Sequence, residues 1–452
     1  MAKDPERDRL SGRMARFARV GAGLSGAAAS MGLNALRPGL DLDARNAEAL
    51  KAALGRIKGP LMKVAQIMAT IPDLLPPELS AAFAELQTNA PPMGPSFVRR
   101  RMAAELGPDW ASRFASFEPA PAAAASLGQV HRATSLAGAP LAVKLQYPQM
   151  QSAVESDVAQ LKTILTLGRR VMSAIDTREA VEEIAARLRE ELDYVREAQA
   201  MALFGAFFAS RGDIQVPAPF PELSTGRLLS MGWLEGQGLA SLQGADQESR
   251  NHVAKLLFEG WWTPLIHIGV IHGDPHLGNY SFADAGRRLN LLDFGCVRIF
   301  PPKFVGGVVR LFHAMCAGDR TGEAEAYRIW GFGELKPDMV EVLGMWARFI
   351  YGPLLDDRVR TVADGVSPAE YGRREAFQVK RALDEKGPVT IPREFVFMDR
   401  AAIGLGAAFL RLGAEQNWRR LFEASLEGFS EEALAERQAA ALAAAGLSWP
   451  EV

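Results

Sequence analysis

Two short polar segments in the second half of the chain constrain its fold more than any other feature. The first runs from His272 to Asn279 and reads HGDPHLGN, and the second runs from Leu292 to Gly295 and reads LDFG. Asp274, Asn279 and Asp293 thus supply two carboxylates and an amide within a short stretch of chain. Oxygen ligands of these types are those that Mg²⁺ prefers in proteins. The spacing predicts a site that holds a magnesium nucleotide.

The residues between the two segments predict a β-hairpin. Two short apolar runs, 280–282 and 289–292, flank the polar stretch 283–287. Such an arrangement is typical of two strands that are joined by a turn.

The order of these residues matches the order in protein kinases. A kinase catalytic loop has the pattern Asp-x-x-x-x-Asn, whose Asp orients the nucleophile and whose Asn reaches a metal ion, and a later Asp-Phe-Gly supplies a second metal ligand. The pattern predicts that Asp274 acts on the nucleophile and that Asn279 and Asp293 hold the metal. An Asp before Gly is usually only a turn residue, so the second segment alone would be a weak signal. Its combination with the first segment favours a phosphoryl-transfer site.

The two histidines of the first segment suggest an alternative. His272 and His276 have the spacing of zinc ligands on one helix face, but Gly273 and Pro275 interrupt the helix that this spacing requires. We therefore interpret both histidines as residues that shape the loop.

A cation for the phosphates is predicted earlier in the chain. The apolar run from Leu141 to Gln146 reads LAVKLQ, which is typical of a short strand, and its Lys144 stands where a kinase strand carries its phosphate-binding Lys. Such a lysine needs a carboxylate partner. A helical pattern from about Arg178 to Phe208 offers several acidic residues, of which Glu191 and Glu197 point about 120° apart and would serve different partners. The alternative is a solvated acidic helix face.

A family resemblance rests on several motifs together. No glycine-rich loop precedes Lys144; the stretch 121–133 reads PAAAASLGQVHRA instead, residues 143–148 read VKLQYP, and residues 191–193 read ELD. With the segments at 272–279 and 292–295, this pattern resembles the UbiB family, also called AarF, of atypical protein-kinase-like proteins. The resemblance covers roughly residues 55–300.

The resemblance implies an α+β, two-lobed protein-kinase-like fold with an N-terminal helical extension. It implies that Lys144 holds the α and β phosphates of ATP and that Glu197 orients Lys144. The extension carries Lys63 and Gln66, with Ala65 where the family favours Gly, and Lys63 is expected to face Glu191 and Asp193. The remaining cofactor-binding residues implied by the family or by kinase analogy are Ala123, Ala124, Ala125 and Ser126 at the phosphates, and Met231, Trp233 and Leu234 at the adenine.

The resemblance also implies a role in ubiquinone or related isoprenoid-lipid synthesis, through ATPase or small-molecule kinase activity with ATP and Mg²⁺. A quinone precursor or another lipid is the expected partner. Two alternatives stay open: a small-molecule phosphotransferase of the aminoglycoside or choline kinase type, and a nucleotide-gated scaffold without turnover. An ATP-binding-cassette subunit is excluded, because the chain has no Gly-x-x-x-x-Gly-Lys-Ser/Thr segment.

Composition and the first residues bear on location. The 452-residue chain has a formal net charge of −2, which gives no sign of nucleic-acid binding, and its two cysteines suggest a reducing compartment. Arg13, Arg16 and Arg19 precede the apolar stretch 20–33, which is too short to span a bilayer as a helix. We expect a cytoplasmic protein with peripheral contact to the inner face of the membrane; a cleavable signal peptide is the alternative. The oligomeric state is left open.

The order of these features predicts four parts. Residues 1–45 form the basic and apolar segment, and 46–115 form the helical extension. Residues 116–235 form a β-rich N-lobe that ends in a strand and hinge, and 236–452 form a helical C-lobe.

Overall fold

The computed structural model describes residues 93–449, apart from 126, 149, 153, 156–185, 187, 275, 364, 367–371 and 387–391. Two units are present. The first contains the described residues up to Arg196 together with Pro219–Trp233, and the second contains Glu197–Ala218 and the described residues from Leu234 onward. The predictions for residues 1–92, including the basic segment, Lys63 and Gln66, lie outside the described residues.

The first unit is built on a four-stranded antiparallel sheet with the order β1-β2-β3-β5. The strands predicted at Lys144 and at Met231 are both confirmed. The first strand begins at 114, inside the range predicted for the helical extension. The elements of this unit are α1 (Pro95–Leu106), β1 (Phe114–Ala125), β2 (Gly128–Ser135), β3 (Pro140–Gln146) and β5 (Leu228–Gly232).

Helix α1 covers one face of this sheet. Side chains alternate between the two faces of a strand, so Leu141, Val143 and Leu145 of β3 point to the same side. They are fully buried in one apolar cluster with Val98 and Met102 of α1. Ala142, Lys144 and Gln146, on the other side, are buried as well, so both faces of this strand are covered.

A buried charged network fastens α1 to the sheet. The Glu105 carboxylate accepts hydrogen bonds from Arg101 Nη1 at 3.3 Å, from Arg227 Nε at 2.9 Å and from Thr225 Oγ1 at 2.7 Å. The Arg101 and Glu105 side chains are only 4% and 5% exposed. Arg101 also donates to the Tyr147 carbonyl. The start of β5 and the end of β3 are thereby joined to one turn of α1.

We expect Glu105→Ala to lower the free energy of unfolding by about 3 kcal/mol, because it removes a buried carboxylate to which Arg101, Arg227 and Thr225 all donate. Chemical denaturation measures this change. Glu385→Ala is the matched control: its partner Arg381 is 76% exposed, and an exposed pair of this kind contributes less than about 1 kcal/mol. Equal unfolding midpoints for the two variants would contradict the role given to Glu105.

The helix predicted as continuous from about 178 to 208 is interrupted near its middle. Residues 188–190 are helical, but Glu191 and Leu192 form a turn and α2 begins anew at Tyr194 (Tyr194–Phe207). The Asp193 carboxylate accepts hydrogen bonds from the backbone N–H groups of Val195 and Arg196 at 3.1 and 3.0 Å. An acceptor in this place satisfies the open N–H groups of a first helical turn. Asp193 therefore starts a separate helix.

The second unit contains two small sheets and a set of helices. One sheet has the order β4-β8-β7 and the other pairs β6 with β9. Its strands are β4 (Ile214–Gln215), β6 (Val270–His272), β7 (Tyr280–Ala283), β8 (Arg288–Leu291) and β9 (Val297–Ile299). Its helices after α2 are α3 (Gln247–Ile268), α4 (Pro302–Ala317), α5 (Arg320–Ile329), α6 (Pro337–Tyr351), α7 (Arg373–Lys386), α8 (Arg393–Leu412), α9 (Trp418–Ser425) and α10 (Glu431–Ala445).

Helix α3 is the central element of this unit. It begins at the Asp246 carboxylate, which accepts from the Ser249 N–H at 2.7 Å, and it ends at Gly269 with a φ of 64°. The ring of its Trp262 lies 4.7 Å from that of Phe422 on α9. A helix that is capped at both ends and largely buried from Val253 onward gives a rigid support to the strand β6 that follows it.

Residues Glu197–Ala218 lie in the range predicted for the N-lobe, but their contacts place them in the second unit. The Phe204 ring of α2 is 5.3 Å from that of Phe294, and β4 pairs in parallel with β8. These contacts join residues far apart in sequence, which local patterns do not reveal.

Candidate active site

Strand β6 positions the first polar segment beside the second. His272 pairs with Val297 of β9, and the Gly273 N–H donates to the Cys296 carbonyl at 3.0 Å. A Cβ on Gly273 would lie 2.4 Å from that carbonyl oxygen, so the two backbones approach more closely than another residue would allow. Asp274, the next residue, therefore follows directly on a backbone that lies against the residues after Asp293.

The predicted hairpin is confirmed as β7 and β8. Its register places Tyr280 opposite Leu291, and the Leu292 N–H donates to the Asn279 carbonyl at 3.0 Å. Asn279 and Asp293 therefore flank the base of one hairpin. This hydrogen bond joins Asn279 to the residue before Asp293, so the two side chains lie in the same part of the unit.

Hydrogen bonds inside the loop connect Asp274 to Asn279. Asn279 Nδ2 donates to the Asp274 carbonyl at 3.3 Å, which leaves the amide Oδ1 as the acceptor end. The Asp274 carboxylate accepts from the His276 N–H at 3.3 Å, and the Asp293 carboxylate accepts from the Gly295 N–H at 3.0 Å. The structure therefore brings Asp274, Asn279 and Asp293 together within the second unit.

These donors fit a magnesium ion that also binds phosphate. Asn279 and Asp293 offer one amide and one carboxylate oxygen donor, and Mg²⁺ sites commonly use one or two protein carboxylates with substrate phosphates and water. Within the described part of the chain no group of three or more His, Cys, Asp or Glu residues could hold a metal by itself. The donor set suits a metal that arrives with a nucleotide.

Sequence reasoning missed Tyr280. Its side chain is 6% exposed, its hydroxyl donates to the Asp274 carbonyl at 3.5 Å, and burial raises the pKa of this phenol well above its ordinary value. It reads in sequence as one more strand residue. Its structural role is to hold the loop backbone at Asp274 with a protonated hydroxyl.

The two histidines have different roles. His276 shapes the loop as predicted, because its Nδ1 accepts from the Gly278 N–H at 3.1 Å and caps a short 3₁₀ turn. The same interpretation is wrong for His272, which is 2% exposed in β6 and lies among the rings of Phe204, Tyr280 and Phe294. Its place is set by the β6 pairing and by this aromatic cluster.

The alanine run is the end of a strand, which corrects its interpretation as a loop. Ala123, Ala124 and Ala125 belong to β1 and pair with residues 130, 129 and 128 of β2. Ser126, in the turn between the strands, lies outside the described residues. Alanine is depleted in strands, so its β conformation here follows from pairing with β2.

Gln129 and His131 of the Gln-Val-His motif form a buried chain of hydrogen bonds. The His131 Nδ1 lies 2.9 Å from the Glu118 carbonyl, which can only accept, so Nδ1 carries the proton and Nε2 is the acceptor. Gln129 Nε2 donates to that Nε2 at 2.8 Å, and Gln129 Oε1 accepts from the Met93 N–H at 2.7 Å. The motif thereby holds the residue that leads into α1, a role that sequence reasoning missed.

Stability is expected to fall as the pH decreases below 6.5, in part through His131. Burial, opposed by backbone hydrogen bonds to Glu118 and Ala120, lowers the pKa of His131 from 6.5. The unfolded chain therefore binds more protons in this range, and the free energy of unfolding decreases as the pH falls. Protonation of His131 at Nε2 would also place its new N–H group against the Nε2 donor of Gln129. Chemical denaturation between pH 7 and 5 measures the slope.

His131→Asn is expected to show a shallower slope over that range. Burial and the charge of Arg437 also lower the pKa of His267. The decrease in unfolding free energy that His267 causes at low pH therefore remains in both proteins. Identical slopes would show that His131 does not titrate as described.

Lys144 occupies the predicted place on β3. Its side chain is 6% exposed, and its Nζ lies over the Tyr194 ring, 5.2 Å from the centroid. Met231 pairs with Ala142 of the same strand. The Trp233 N–H donates to the Pro140 carbonyl at 3.0 Å, so this amide is already engaged.

The acidic residues predicted near Lys144, and Leu234, lie in different surroundings. Glu197 lies in the first turn of α2 and is 1% exposed, so it is no part of a solvated acidic face. Glu191 is half-buried, and Asp193 is exposed as the cap of α2. Leu234 is the first residue of the second unit after β5. The pairing of Glu197 with Lys144, and of Lys63 with the acids, stays a prediction.

The four-stranded sheet, the helical second unit and the Asp274, Asn279 and Asp293 loop define a protein-kinase-like fold of the α+β class, as predicted. The family model for the ABC1 atypical kinase-like domain matches residues 85–327. The chain belongs to this family of atypical kinases, which confirms the UbiB resemblance.

Similar proteins occur in organelles of eukaryotes. The chain is 28% identical over 321 residues to the mitochondrial atypical kinase COQ8 of Saccharomyces cerevisiae, covering 69% of this chain and 64% of that protein. It is 31% identical over 277 residues to the mitochondrial atypical kinase COQ8B of Rattus norvegicus, covering 61% and 52%. The match thus spans between half and two thirds of the length of these two relatives.

A solved structure is similar as well. It is the complex of Rv3197 with erythromycin from Mycobacterium tuberculosis, which shares 26% sequence identity and a TM-score of 0.59. The similarity covers 85% of this chain and 96% of that one. It extends over both units of the chain.

Proposed function

We propose that the chain binds ATP with Mg²⁺ and acts as an atypical kinase or ATPase. The observation that carries this proposal is the loop in the second unit, where the Leu292 N–H bonds to the Asn279 carbonyl and the Asn279 side-chain amide bonds to the Asp274 carbonyl, which brings Asp274, Asn279 and Asp293 together. Asn279 and Asp293 would hold the metal, and Asp274 would act on the nucleophile. The metal would neutralise charge that develops on the transferred phosphoryl group.

The first unit would bind the phosphates and the base. Lys144 would contact the α and β phosphates, which its burial at the centre of the sheet supports, and Glu197 would orient it. The strand end Ala123 to Ala125, with Ser126, would lie at the phosphates. Met231, Trp233 and Leu234 would line the adenine site; because the Trp233 N–H is engaged, the base would use the other polar groups there.

Regulation is assigned to the extension. Lys63, in the extension that also carries Gln66, would face Glu191 and Asp193, which are close in sequence to the start of α2. The Asp193 carboxylate also accepts two backbone N–H groups, so it would serve both the start of α2 and Lys63.

The substrate would be an isoprenoid-quinone precursor or related lipid, as the UbiB resemblance implies, and the protein would support the synthesis of such lipids. Among the residues that the structure describes, no helix combines the length and the apolar character that crossing a bilayer requires. Attachment would be peripheral, through Arg13, Arg16 and Arg19, each of which gains on the order of 1 kcal/mol near an anionic surface. The inner face of the cytoplasmic membrane is the proposed place.

Magnesium-dependent ATP hydrolysis by the purified chain tests the proposal, measured with and without anionic vesicles that contain a quinone-like phenol. Phosphate release that requires Mg²⁺ and is lost in Asp274→Asn is the expected result. Asp284→Asn, on the turn of the same hairpin, is the matched control and should keep the activity. Nucleotide binding without any phosphate release under these conditions would contradict an enzyme and favour the scaffold.

A further inference from the structure

Lys144 and Gln146 are on the same face of β3, opposite to the face that contacts α1. Both are buried, at 6% and 1% exposure, although each carries a polar end. The face they share points to the segment between Glu190 and Tyr194, which lies in the same unit. The chemistry of Lys144 therefore depends on how this segment is held.

Gln146 fixes the segment by its amide. Its Nε2 donates to the Leu192 carbonyl at 2.7 Å and to the Gly226 carbonyl at 3.4 Å. These bonds join β3, the turn before α2 and the turn before β5. The Asp193 cap then sets the direction in which α2 leaves the turn.

The residue placed by this arrangement is Tyr194. Its side chain is 2% exposed, and its ring lies 5.2 Å from the Lys144 ammonium nitrogen. An ammonium over an aromatic face is attracted by the ring quadrupole, and the attraction is strongest where water is excluded.

We propose that Tyr194 is a positioning residue for Lys144: its ring holds the lysine charged and directed, and Gln146 and Asp193 hold the ring. The inference rests on the proposed function, in which Lys144 binds phosphate. It assigns to the tyrosine after the Glu-x-Asp motif the task of keeping this cation in place before nucleotide arrives.

The test measures the acetylation rate of Lys144 as a function of pH in the full-length chain without nucleotide, with mass spectrometry of the Lys144 peptide. Only an uncharged amine reacts, so the pH of half-maximal rate reports how strongly the ammonium is stabilised. Tyr194→Phe keeps the ring and should leave this pH unchanged. Pentafluorophenylalanine at position 194 keeps the shape but reverses the quadrupole, and should lower the pH by about one unit.

Two controls separate this effect from general loss of structure. Tyr327→Leu removes another buried tyrosine and should leave the Lys144 profile unchanged whatever it does to stability. At neutral pH the fluorinated protein should be less stable than Tyr194→Phe by no more than about 1.4 kcal/mol, which is the free energy that a shift of one pH unit represents; a larger loss would indicate general disruption of the structure. An unchanged Lys144 profile on fluorination would overturn the inference.

The outcome is also distinct from a failure of the proposed function. If Mg-ATP does not raise the melting temperature of the wild-type protein, the nucleotide proposal fails. The pH dependence of Lys144 acetylation still tests whether the Tyr194 ring stabilises the ammonium group. If Mg-ATP stabilises the protein and fluorination shifts nothing, only the role of Tyr194 fails.

Discussion

Asp293→Asn is expected to abolish the increase in melting temperature that we expect Mg-ATP to give the wild-type protein. The substitution removes one negative charge from the proposed metal site while the amide preserves the size of the side chain. Mg²⁺ is held by few protein ligands in such sites, so the loss of a charged one cannot be offset by its neighbours. Thermal unfolding at saturating Mg-ATP, compared with Mg²⁺ alone, measures the effect.

Asp284→Asn serves as the control for this measurement. Asp284 is in the turn of the same hairpin, where its carboxylate pairs with Arg288 at 2.6 Å and is 46% exposed. Asn tolerates the positive φ of 51° found there, so the variant should keep the full Mg-ATP response. A wild-type response from Asp293→Asn would mean that Asp293 does not hold the metal.

Gly128→Ala should lower the free energy of unfolding by about 3 kcal/mol and impair nucleotide binding. Gly128 opens β2, and a Cβ there would lie 2.1 Å from the Leu145 carbonyl oxygen of β3. Both groups belong to paired backbones, so relief requires the strands to separate, and overpacking of this kind typically costs 1–3 kcal/mol. The displaced strand is the one that carries Lys144. Chemical denaturation and Mg-ATP titration measure the two effects.

Gly226→Ala is the matched substitution for this prediction. Nothing lies within 4 Å of a Cβ on Gly226, so its unfolding midpoint should stay close to that of the wild type. If the two alanine variants unfold at the same denaturant concentration, the close approach of β2 and β3 at Gly128 has no energetic weight.

The parts of the site that sequence predicted are those whose signals are local. The β7–β8 hairpin could be predicted because its turn residues and apolar flanks are contiguous. The strand around Lys144 could be predicted from its run of apolar residues. Both assignments need only neighbours in sequence, and the structure confirms both.

The parts that sequence missed depend on partners far along the chain. The alanine run becomes a strand only through its pairing with β2, and His272 is buried only because β6 pairs with β9 and Phe204 packs against it. The break before α2 is a different case. Asp193 directly before a helical stretch is a start signal, and weighing it above the long helical periodicity would have found the break.

The break at Asp193 makes Glu197 insensitive to changes in chain length before it. In a continuous helix each inserted or deleted residue would turn every later side chain by about 100° and shift it by about 1.5 Å. Because α2 starts from its own cap, the direction of the Glu197 side chain depends only on its position four residues after Asp193. Insertions and deletions before the Glu191 turn can therefore accumulate during evolution while the register of this carboxylate is preserved.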